Sequence, residues 1–303
     1  MPIQYIPQHD IDKQKWDNCI DSYDNGVVYA YSYYLDSMSK NWDALVLNDY
    51  EAVMPLPWNK KYTISYLYQP FFCAALGVFG NNLSAALIND FLNAIPKKFS
   101  YWDIYLNHGN YFSLPDFNLY QRKNFVLGLN KPYENIYSAF RDNIKRNIKK
   151  ADSVGCVVKT NIDINEVIQL SKEQAGSFSP ITQDAFDRFK KVYQHLTQLN
   201  KAITYGVYIG NNELVASCAF IFSHGRAYYI LVGNHPNGKT VGASHALINA
   251  FIKDHAEKNI LLDFEGSDIQ NLAFFYSGFG AKEEMYCGLK INRLPFWAKW
   301  LKK

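Results

Sequence analysis

The second half of the chain alternates apolar and polar residues in short segments that turn residues separate. This alternation predicts strands over residues 203–209, 213–223 and 227–233, joined by turns at Gly210-Asn211-Asn212 and His224-Gly225. Helical spacing predicts an amphipathic helix with apolar positions at Ala243, Ala246, Leu247, Ala250 and Phe251. Short strands over 260–264 and 285–291 complete the predicted order.

The first half repeats this order of elements about 160 positions earlier. It predicts strands over 44–47, 52–56, 64–68, 101–106 and 125–129, and a helix over 83–95. Helical segments precede the first hairpin in both halves. In the second half they are residues 164–175 and a helix with the apolar face Ala185, Phe186, Phe189, Val192, Tyr193 and Leu196. The repeat predicts a duplicated α/β fold of the mixed-sheet, α+β kind, with lobes at 1–130 and 131–303.

Residues 133–151, at the junction of the predicted lobes, form the most distinctive local segment. At about 100° per residue, an apolar side of this helix opposes a basic side. The apolar side comprises Tyr133, Ile136, Tyr137, Phe140, Ile144, Ile148 and Ala151, and the basic side comprises Arg141, Lys145, Arg146, Lys149 and Lys150. The basic side is either a solvated surface or a site for phosphate or another polyanion.

Composition supports a folded protein of this size. The 303 residues are 48% apolar and 16% aromatic, which is enough for two cores. The net charge of +3 commits the protein neither to DNA nor to an anionic membrane. Because the Cys residues are widely separated and the His residues lack ligand spacing, no disulfide framework or metal site is predicted. The N-terminus lacks a signal-peptide pattern and no segment approaches roughly 18 apolar residues, so a soluble, cytoplasmic protein without a transmembrane segment is expected.

Four segments, taken in order, resemble FemAB-like transferases, which are tandem lobes of the GNAT acyltransferase superfamily. They are Glu51-Ala52-Val53-Met54-Pro55-Leu56-Pro57, the basic run 140–151 leading into Gly155-Cys156-Val157-Val158, Leu262-Asp263-Phe264-Glu265-Gly266-Ser267, and Phe275-Tyr276-Ser277-Gly278-Phe279-Gly280-Ala281. The resemblance spans nearly the whole chain. It implies transfer of an acyl or aminoacyl group, from a thioester or a tRNA ester, to an amine.

That reaction needs a base for the amine, and Asp263 and Glu265 are the candidates. At i and i+2 on a strand end they point to the same sheet face, and burial beside Phe264 favours a raised carboxyl pKa. The alternative for both is a turn and helix cap. The resemblance places Tyr276 where these enzymes often have an acid for the leaving group, although a core or groove-lining tyrosine fits the position equally.

For the donor, the resemblance implies acetyl-CoA or another acyl-CoA, with the pyrophosphate on backbone N–H groups of residues 234–243. Helix N-termini bind anions in this way. The implied contacts are Val232, Gly238, Lys239, Gly242 and Ala243. The acceptor is then a small-molecule or cell-envelope-precursor amine. Residues 110–121 contain Pro115 and provide no counterpart of the Tyr276 helix, so the first lobe is expected to be non-catalytic.

Two other functions stay open at this point. One is transfer from an aminoacyl-tRNA to a cell-wall precursor, which the basic helix favours because it suits RNA phosphates. The other is a catalytically silent binding or scaffold protein. The basic, aromatic residues 294–303 either pack on the second lobe or make peripheral contact with a membrane surface.

Overall fold

The structure is a computed structural model that describes residues 2–176, 180–210, 212–266 and 268–294. Its chain divides into two compact units, unit 1 (Met1–Arg122 and Met285–Lys303) and unit 2 (Lys123–Glu284). Residues 295–303, for which packing or membrane contact was predicted, lie outside the described residues. No helix in the described part of the chain is long and apolar enough to span a bilayer.

The helices and strands of unit 1 alternate along the chain. They are β1 (Ile3–Ile6), α1 (Lys13–Ser22), α2 (Ser32–Met38), β2 (Asn41–Leu47), β3 (Ala52–Lys61), β4 (Ile64–Tyr68), β5 (Phe79–Gly80), α3 (Ala85–Asn93) and β6 (Phe99–Leu106). Strand β7 (Tyr120–Gly128) begins in unit 1 and ends in unit 2.

Unit 2 continues with a second set of elements. They are α4 (Tyr133–Ser138), α5 (Asp142–Ser153), β8 (Val157–Thr160), α6 (Ile164–Ala175), α7 (Gln183–Gln198), β9 (Ala202–Ile209), β10 (Glu213–Ser223), β11 (Arg226–Asn234), α8 (Pro236–Val241), α9 (Ala243–His255), β12 (Leu261–Asp263) and α10 (Gln270–Gly278). Strand β13 (Lys282–Asn292) begins in unit 2 and ends in unit 1.

Local sequence determines most of these helices. The side chains of Ser84 and Thr182 accept hydrogen bonds from backbone N–H groups in the first turns of α3 and α7, which satisfies donors that a helix start leaves unpaired. Helix α6 has the predicted bounds, and the predicted apolar face of α7 is buried. Between β10 and α9, Phe220 stacks on Phe251 with ring centroids 3.6 Å apart in the core of unit 2.

The strand pairing of the two units confirms the predicted duplication of the fold. In unit 1, β1, β2, β3 and β4 pair antiparallel in that order, and β4 pairs parallel with β6. In unit 2, β8, β9, β10 and β11 pair antiparallel in that order, and β11 pairs parallel with β12. The hairpins predicted at 48–50 and 210–212 thus occupy equivalent positions.

The last strand of each unit comes from the opposite half of the chain, which differs from the prediction. Strand β7 pairs antiparallel with β12, with Leu127 opposite Leu262, and so belongs to the sheet of unit 2 there. The end of β13 pairs antiparallel with β6, with Leu289 opposite Ile104. The units therefore divide the chain differently from 1–130 and 131–303. Alternation predicts that a segment is a strand but not which distant strand it pairs with.

The single helix predicted over 133–151 is two helices in the structure. Arg141 has an extended backbone (φ −64°, ψ 153°), and its N–H donates to the carbonyl of Gly278 at 2.9 Å. That bond to α10 replaces the one a continuous helix would make, so the chain restarts as α5 at Asp142. The predicted apolar side still faces the core, because Ile136, Phe140 and Ile144 are buried on both sides of the break.

Because β13 comes from the second half of the chain but pairs with β6 in unit 1, a substitution in its core-facing residues should act on unit 1. Leu289 is buried in the core of unit 1, so Leu289→Ala should lower the free energy of unfolding by about 2–5 kcal/mol. Hydrogen exchange measured by mass spectrometry should speed up in β6 and β4, with β10 and β11 unchanged. Faster exchange confined to β10–β12 would show that β13 belongs to the sheet of the second half.

Candidate active site

The predicted acidic residues lie where β12 leaves its sheet. At Asp263 this strand is flanked by Val126 of β7 and Tyr228 of β11. The chain then turns through two left-handed residues, Glu265 (φ 65°) and Gly266 (φ 84°). A left-handed conformation is routine for glycine but costs other residues roughly 1–2 kcal/mol. Surrounding contacts must therefore hold Glu265 in place.

Two side chains hold this turn. The Glu265 N–H donates to Asp263 Oδ1 at 2.9 Å, and the Gly266 N–H donates to Asn124 Oδ1 at 2.6 Å. The Asn124 Nδ2 group also donates to Asp263 Oδ1 at 2.9 Å, which joins the two supports. The backbone of both turn residues is thus fixed, and the fixed backbone places the Glu265 side chain.

Asp263 and Glu265 occupy different electrostatic environments. Asp263 is buried, and its Oδ2 accepts from Arg226 Nη1 at 2.9 Å. Arg226 in turn donates to both carboxylate oxygens of Glu284, at 2.9 and 2.7 Å. For Glu265 the main influence is desolvation, since burial raises the pKa of its carboxyl to about 8.

Aromatic rings surround the Glu265 turn, and Tyr276 is among them. The rings of Phe264 and Tyr276 stack with centroids 4.5 Å apart, and Tyr229 and Phe125 pack within 6.5 Å of Tyr276. Burial, followed by the negative charge of Glu265, raises the pKa of Tyr276 to about 12. Tyr276 therefore keeps its proton at neutral pH and lies within electrostatic range of Glu265.

Strands β11 and β12 separate beside this turn. In the described part of the chain, their ladder runs from Arg226 to Tyr228 and ends opposite Asp263. Farther along β11, the register against β10 shifts between Ser217 and Ala219, and Leu231 has a left-handed backbone (φ 53°). This bulge bends β11 and re-aims its backbone groups next to Val232, the first of the predicted cofactor contacts.

The segment predicted to cradle pyrophosphate is the helix α8 rather than a loop. His235 caps it by accepting from the Asn237 N–H, and Pro236 occupies its first turn, which favours a helix start. The N–H groups of Gly238 and Lys239 donate to the carbonyl of His235, and that of Gly242 donates to Gly238. These amides therefore already have acceptors within the protein.

The predicted glycines serve close packing. A Cβ at Gly238 would lie 2.2 Å from the Val215 carbonyl oxygen, and one at Gly242 would lie 2.5 Å from that of Asn147. Gly242 also has a left-handed backbone (φ 79°), and the buried Ala243 follows it as the first residue of α9. Helix α9 starts without a side-chain cap because Gly242 precedes it, and its first turn begins with the predicted cofactor residue Ala243.

The basic residues of α5 lie on its solvent side, next to the start of α9. Arg146, Lys149 and Lys150 are exposed, and no carboxylate in the described residues forms an ion pair with them. Lys145 donates to the carbonyl of Ser138 at 2.8 Å, and Arg141 lies over the Phe274 ring at 4.7 Å. Contact between Gly242 and Asn147 brings the predicted cofactor segment against this predicted polyanion helix.

The residues that support the turn were not among the predicted site residues. Asn124, Arg226 and Glu284 lie far from Asp263 in the chain, and the strand pairing brings them together. One feature of the sequence could have indicated them, because Arg226 is a charged residue at the start of an otherwise apolar strand. In the described residues, no group of His, Cys, Asp and Glu side chains is arranged to hold a metal ion.

Comparison with known proteins shows which domain family part of the chain is similar to and which fold the whole chain has. Residues 138–268 match the sequence profile of the acetyltransferase (GNAT) domain family. No curated protein matches the sequence. Among solved structures, FemX shares 11% identity with a TM-score of 0.66, over 95% of this chain and 97% of FemX.

Two further structures show the same fold. A tandem GNAT protein from the clavulanic acid biosynthesis pathway shares 10% identity with a TM-score of 0.57, over 97% of this chain and 99% of that one. The C-terminal domain of a putative lysylphosphatidylglycerol synthetase from Agrobacterium fabrum shares 10% identity with a TM-score of 0.52, over 95% and 93%. Residues 138–268 are therefore similar to the GNAT domain family, and the chain as a whole has the tandem GNAT-like fold that its sequence predicted.

Proposed function

We propose that the protein transfers an acyl group from acyl-CoA to an amine, with Glu265 as the general base. The observation that supports this most is the Glu265 carboxyl, which belongs to a partly buried residue on a left-handed turn where β11 and β12 separate. A base with a pKa of about 8 is well matched to an alkylammonium acceptor, because proton transfer is most effective between groups of similar pKa near the working pH.

In the proposed reaction, Glu265 removes a proton from the acceptor ammonium and the free amine attacks the thioester carbonyl. A C–N bond forms, the C–S bond breaks, and the sulfur leaves with its electron pair. The protonated Tyr276 donates to the leaving sulfur and regains a proton from solvent. The nitrogen loses its second proton to solvent as the amide forms, and Glu265 then releases the proton it took, so the reaction sets free one proton overall. We assign Asp263 to positioning rather than to proton transfer, because Arg226 already pairs with its charge.

The edge of β11 beyond Tyr228 supports an extended donor. Its backbone groups, re-aimed by the bulge at Leu231, are able to pair with an amide-containing chain as an added strand would. The first turn of α9 and the cations of α5 then lie near the donor's phosphates. We therefore propose α9 and α5, rather than the amides of α8, as the phosphate contacts.

Unit 1 differs at the corresponding edge, which supports its proposed non-catalytic role. Its β6 is the counterpart of β12, and residues beyond β4 fold back against it. The Leu76 N–H donates to the carbonyl of Tyr105 at 2.8 Å, and the Asn107 N–H donates to that of Leu76 at 2.6 Å. The chain itself thus covers the edge of β6 beyond its pairing with β4, whereas the counterpart edge of β12 is where β11 separates from it in unit 2.

The pKa of Glu265 predicts how the rate depends on pH. With acetyl-CoA and a panel of primary amines, thiol release should rise with pH and level off above about 8, because only the carboxylate accepts a proton. Glu265→Gln should lower kcat by about 10²–10⁴-fold. A Glu265→Gln variant as active as the wild type would contradict the assignment of Glu265 as the base. Asp268→Asn, which makes the same change from carboxylate to amide at an exposed position, is the matched control.

The same carboxyl predicts the stability of the amide variant. Its folded-state pKa is raised from 4.5 to about 8, so the folded protein binds a proton that the unfolded chain releases between those values. Glu265 therefore contributes stability below pH 4.5 that is lost as pH rises through about 8. In urea titrations at about pH 8, the free energy of unfolding of Glu265→Gln should equal that of the wild type or exceed it by about 1–3 kcal/mol. A large loss of stability would indicate a capping role.

A second candidate donor is the aminoacyl ester of a tRNA. The exposed cations of α5 favour it, since they present positive charge without carboxylate partners in the described region. The name of the Agrobacterium fabrum neighbour, a putative lysylphosphatidylglycerol synthetase, is consistent with aminoacyl transfer to a cell-envelope acceptor. A tRNA would engage several phosphates at once, whereas CoA would engage few.

Calorimetry at two salt concentrations distinguishes the donors. For acetyl-CoA, Lys239→Glu and the double variant Arg146→Glu/Lys149→Glu should each weaken binding by less than about tenfold, with a shallow salt dependence. For aminoacyl-tRNA, affinity should fall steeply with salt, and the α5 double variant should dominate the loss. Heat with neither donor would contradict both enzymatic proposals and favour a silent binding protein.

A further inference from the structure

We propose that Arg226 is a positioning residue that holds the Glu265 turn in its left-handed conformation through Asp263. This inference rests on the proposed function only in calling Glu265 the base. Arg226 begins β11, opposite Leu261 of β12, and its guanidinium is buried between two carboxylates. It reaches the turn through a single intermediate side chain.

The two oxygens of Asp263 have separate tasks. Oδ2 accepts from Arg226 Nη1, and Oδ1 accepts from the Glu265 N–H and from Asn124 Nδ2. A carboxylate can rotate about its Cβ–Cγ bond, so a fixed donor at one oxygen orients the other. The Arg226 fork is itself fixed by paired bonds to Glu284 at 2.9 and 2.7 Å.

The strain in the turn makes this orientation consequential. A glutamate in the left-handed region relaxes toward ordinary backbone angles when its supporting bonds weaken. Relaxation would carry the Glu265 carboxyl toward water, and the burial that raises its pKa would be lost. Arg226 is therefore expected to control both the position of the carboxyl and the pH at which it ionises.

Other charged or titratable groups near the turn lie on its own segment and on the strands and helices packed against it. They are Asp263 and Asp268 on its own segment, Arg226 and Tyr229 on β11, Tyr276 on α10, Lys123 on β7, and Glu284 at the start of β13. Replacing Arg226 alone would leave Asp263 and Glu284 as carboxylates without their cation, which is strongly destabilising where they are buried. The test must therefore remove a matched pair of charges.

The double variant Arg226→Met/Glu284→Gln removes one positive and one negative charge and so keeps the net charge of the cluster. Arg226→Lys keeps the positive charge but loses the fork, and it serves if the double variant does not fold. The control is Arg188→Met/Asp184→Asn, which removes a more exposed ion pair on α7. Each background is made both with the native Glu265 and with the Glu265→Gln substitution.

The first measurement needs no enzymatic activity. Within one background, the free energy of unfolding is compared with and without Glu265→Gln, and the difference followed against pH reports the titration of Glu265. This difference changes with pH between two midpoints, and the higher one is the pKa of Glu265 in the folded protein. That midpoint should fall by about one pH unit or more in the Arg226→Met/Glu284→Gln background, by less with Arg226→Lys, and not at all in the control. An unchanged midpoint in both Arg226 backgrounds would overturn the proposal, even if both are less stable.

The second measurement separates this inference from the proposed function. If Glu265 is the base, kcat/KM for acetyl transfer should fall at least about tenfold in the Arg226→Met/Glu284→Gln background, with its pH midpoint shifted down alongside the stability midpoint. A shifted stability midpoint without any turnover in the wild type would support the positioning role and reject the proposed reaction. Turnover in the wild type with unchanged midpoints in the Arg226 variants would support the proposed reaction and reject the positioning role of Arg226.

Discussion

The site depends on the hydrogen bond from the Glu265 N–H to the buried Asp263 carboxylate, 2.9 Å long. It lets a residue with a side chain adopt backbone angles that favour glycine, and it does so where β12 ends and β11 bends away. The carboxyl of Glu265 is thereby held beside the aromatic cluster of Phe264, Tyr229 and Tyr276, where it is partly shielded from water. Its raised pKa follows from that position and therefore from the backbone geometry of the turn.

The duplicated architecture explains why unit 2 has this arrangement. Both units pair their strands in the same sequence of directions, and each ends on a strand that comes from the other half of the chain. In unit 2 that strand is β7, which contributes Asn124 just before Phe125 and so places a second support under the turn. In unit 1 the end of β6, the counterpart of β12, is covered by residues around Leu76. The exchange of strands is therefore part of how the site is built.

Local patterns predicted most of the elements and the acidic segment, because helix periodicity, caps and hairpin turns depend on neighbouring residues. They failed where long-range contacts decide. The partners of β7 and β13 follow from register between distant strands, and Arg141 breaks its helix by bonding to Gly278. Pro236-Asn237-Gly238 has the composition of a loop, but His235 caps it as a helix and Gly238 fits against Val215. Asp263 and Glu265 were predicted as equivalent bases, and the pairing of Asp263 with Arg226 distinguishes them.

Desolvation raises the pKa of the Glu265 carboxyl to about 8, and the proposed role of this residue depends on that shift. Infrared difference spectroscopy of the carbonyl stretch of protonated carboxyl groups measures this directly. We expect a band that persists at neutral pH, disappears on titration through about pH 8, and is absent from Glu265→Gln. A spectrum in which every carboxyl band is lost below about pH 5, or in which the band remains in the amide variant, would contradict the claim.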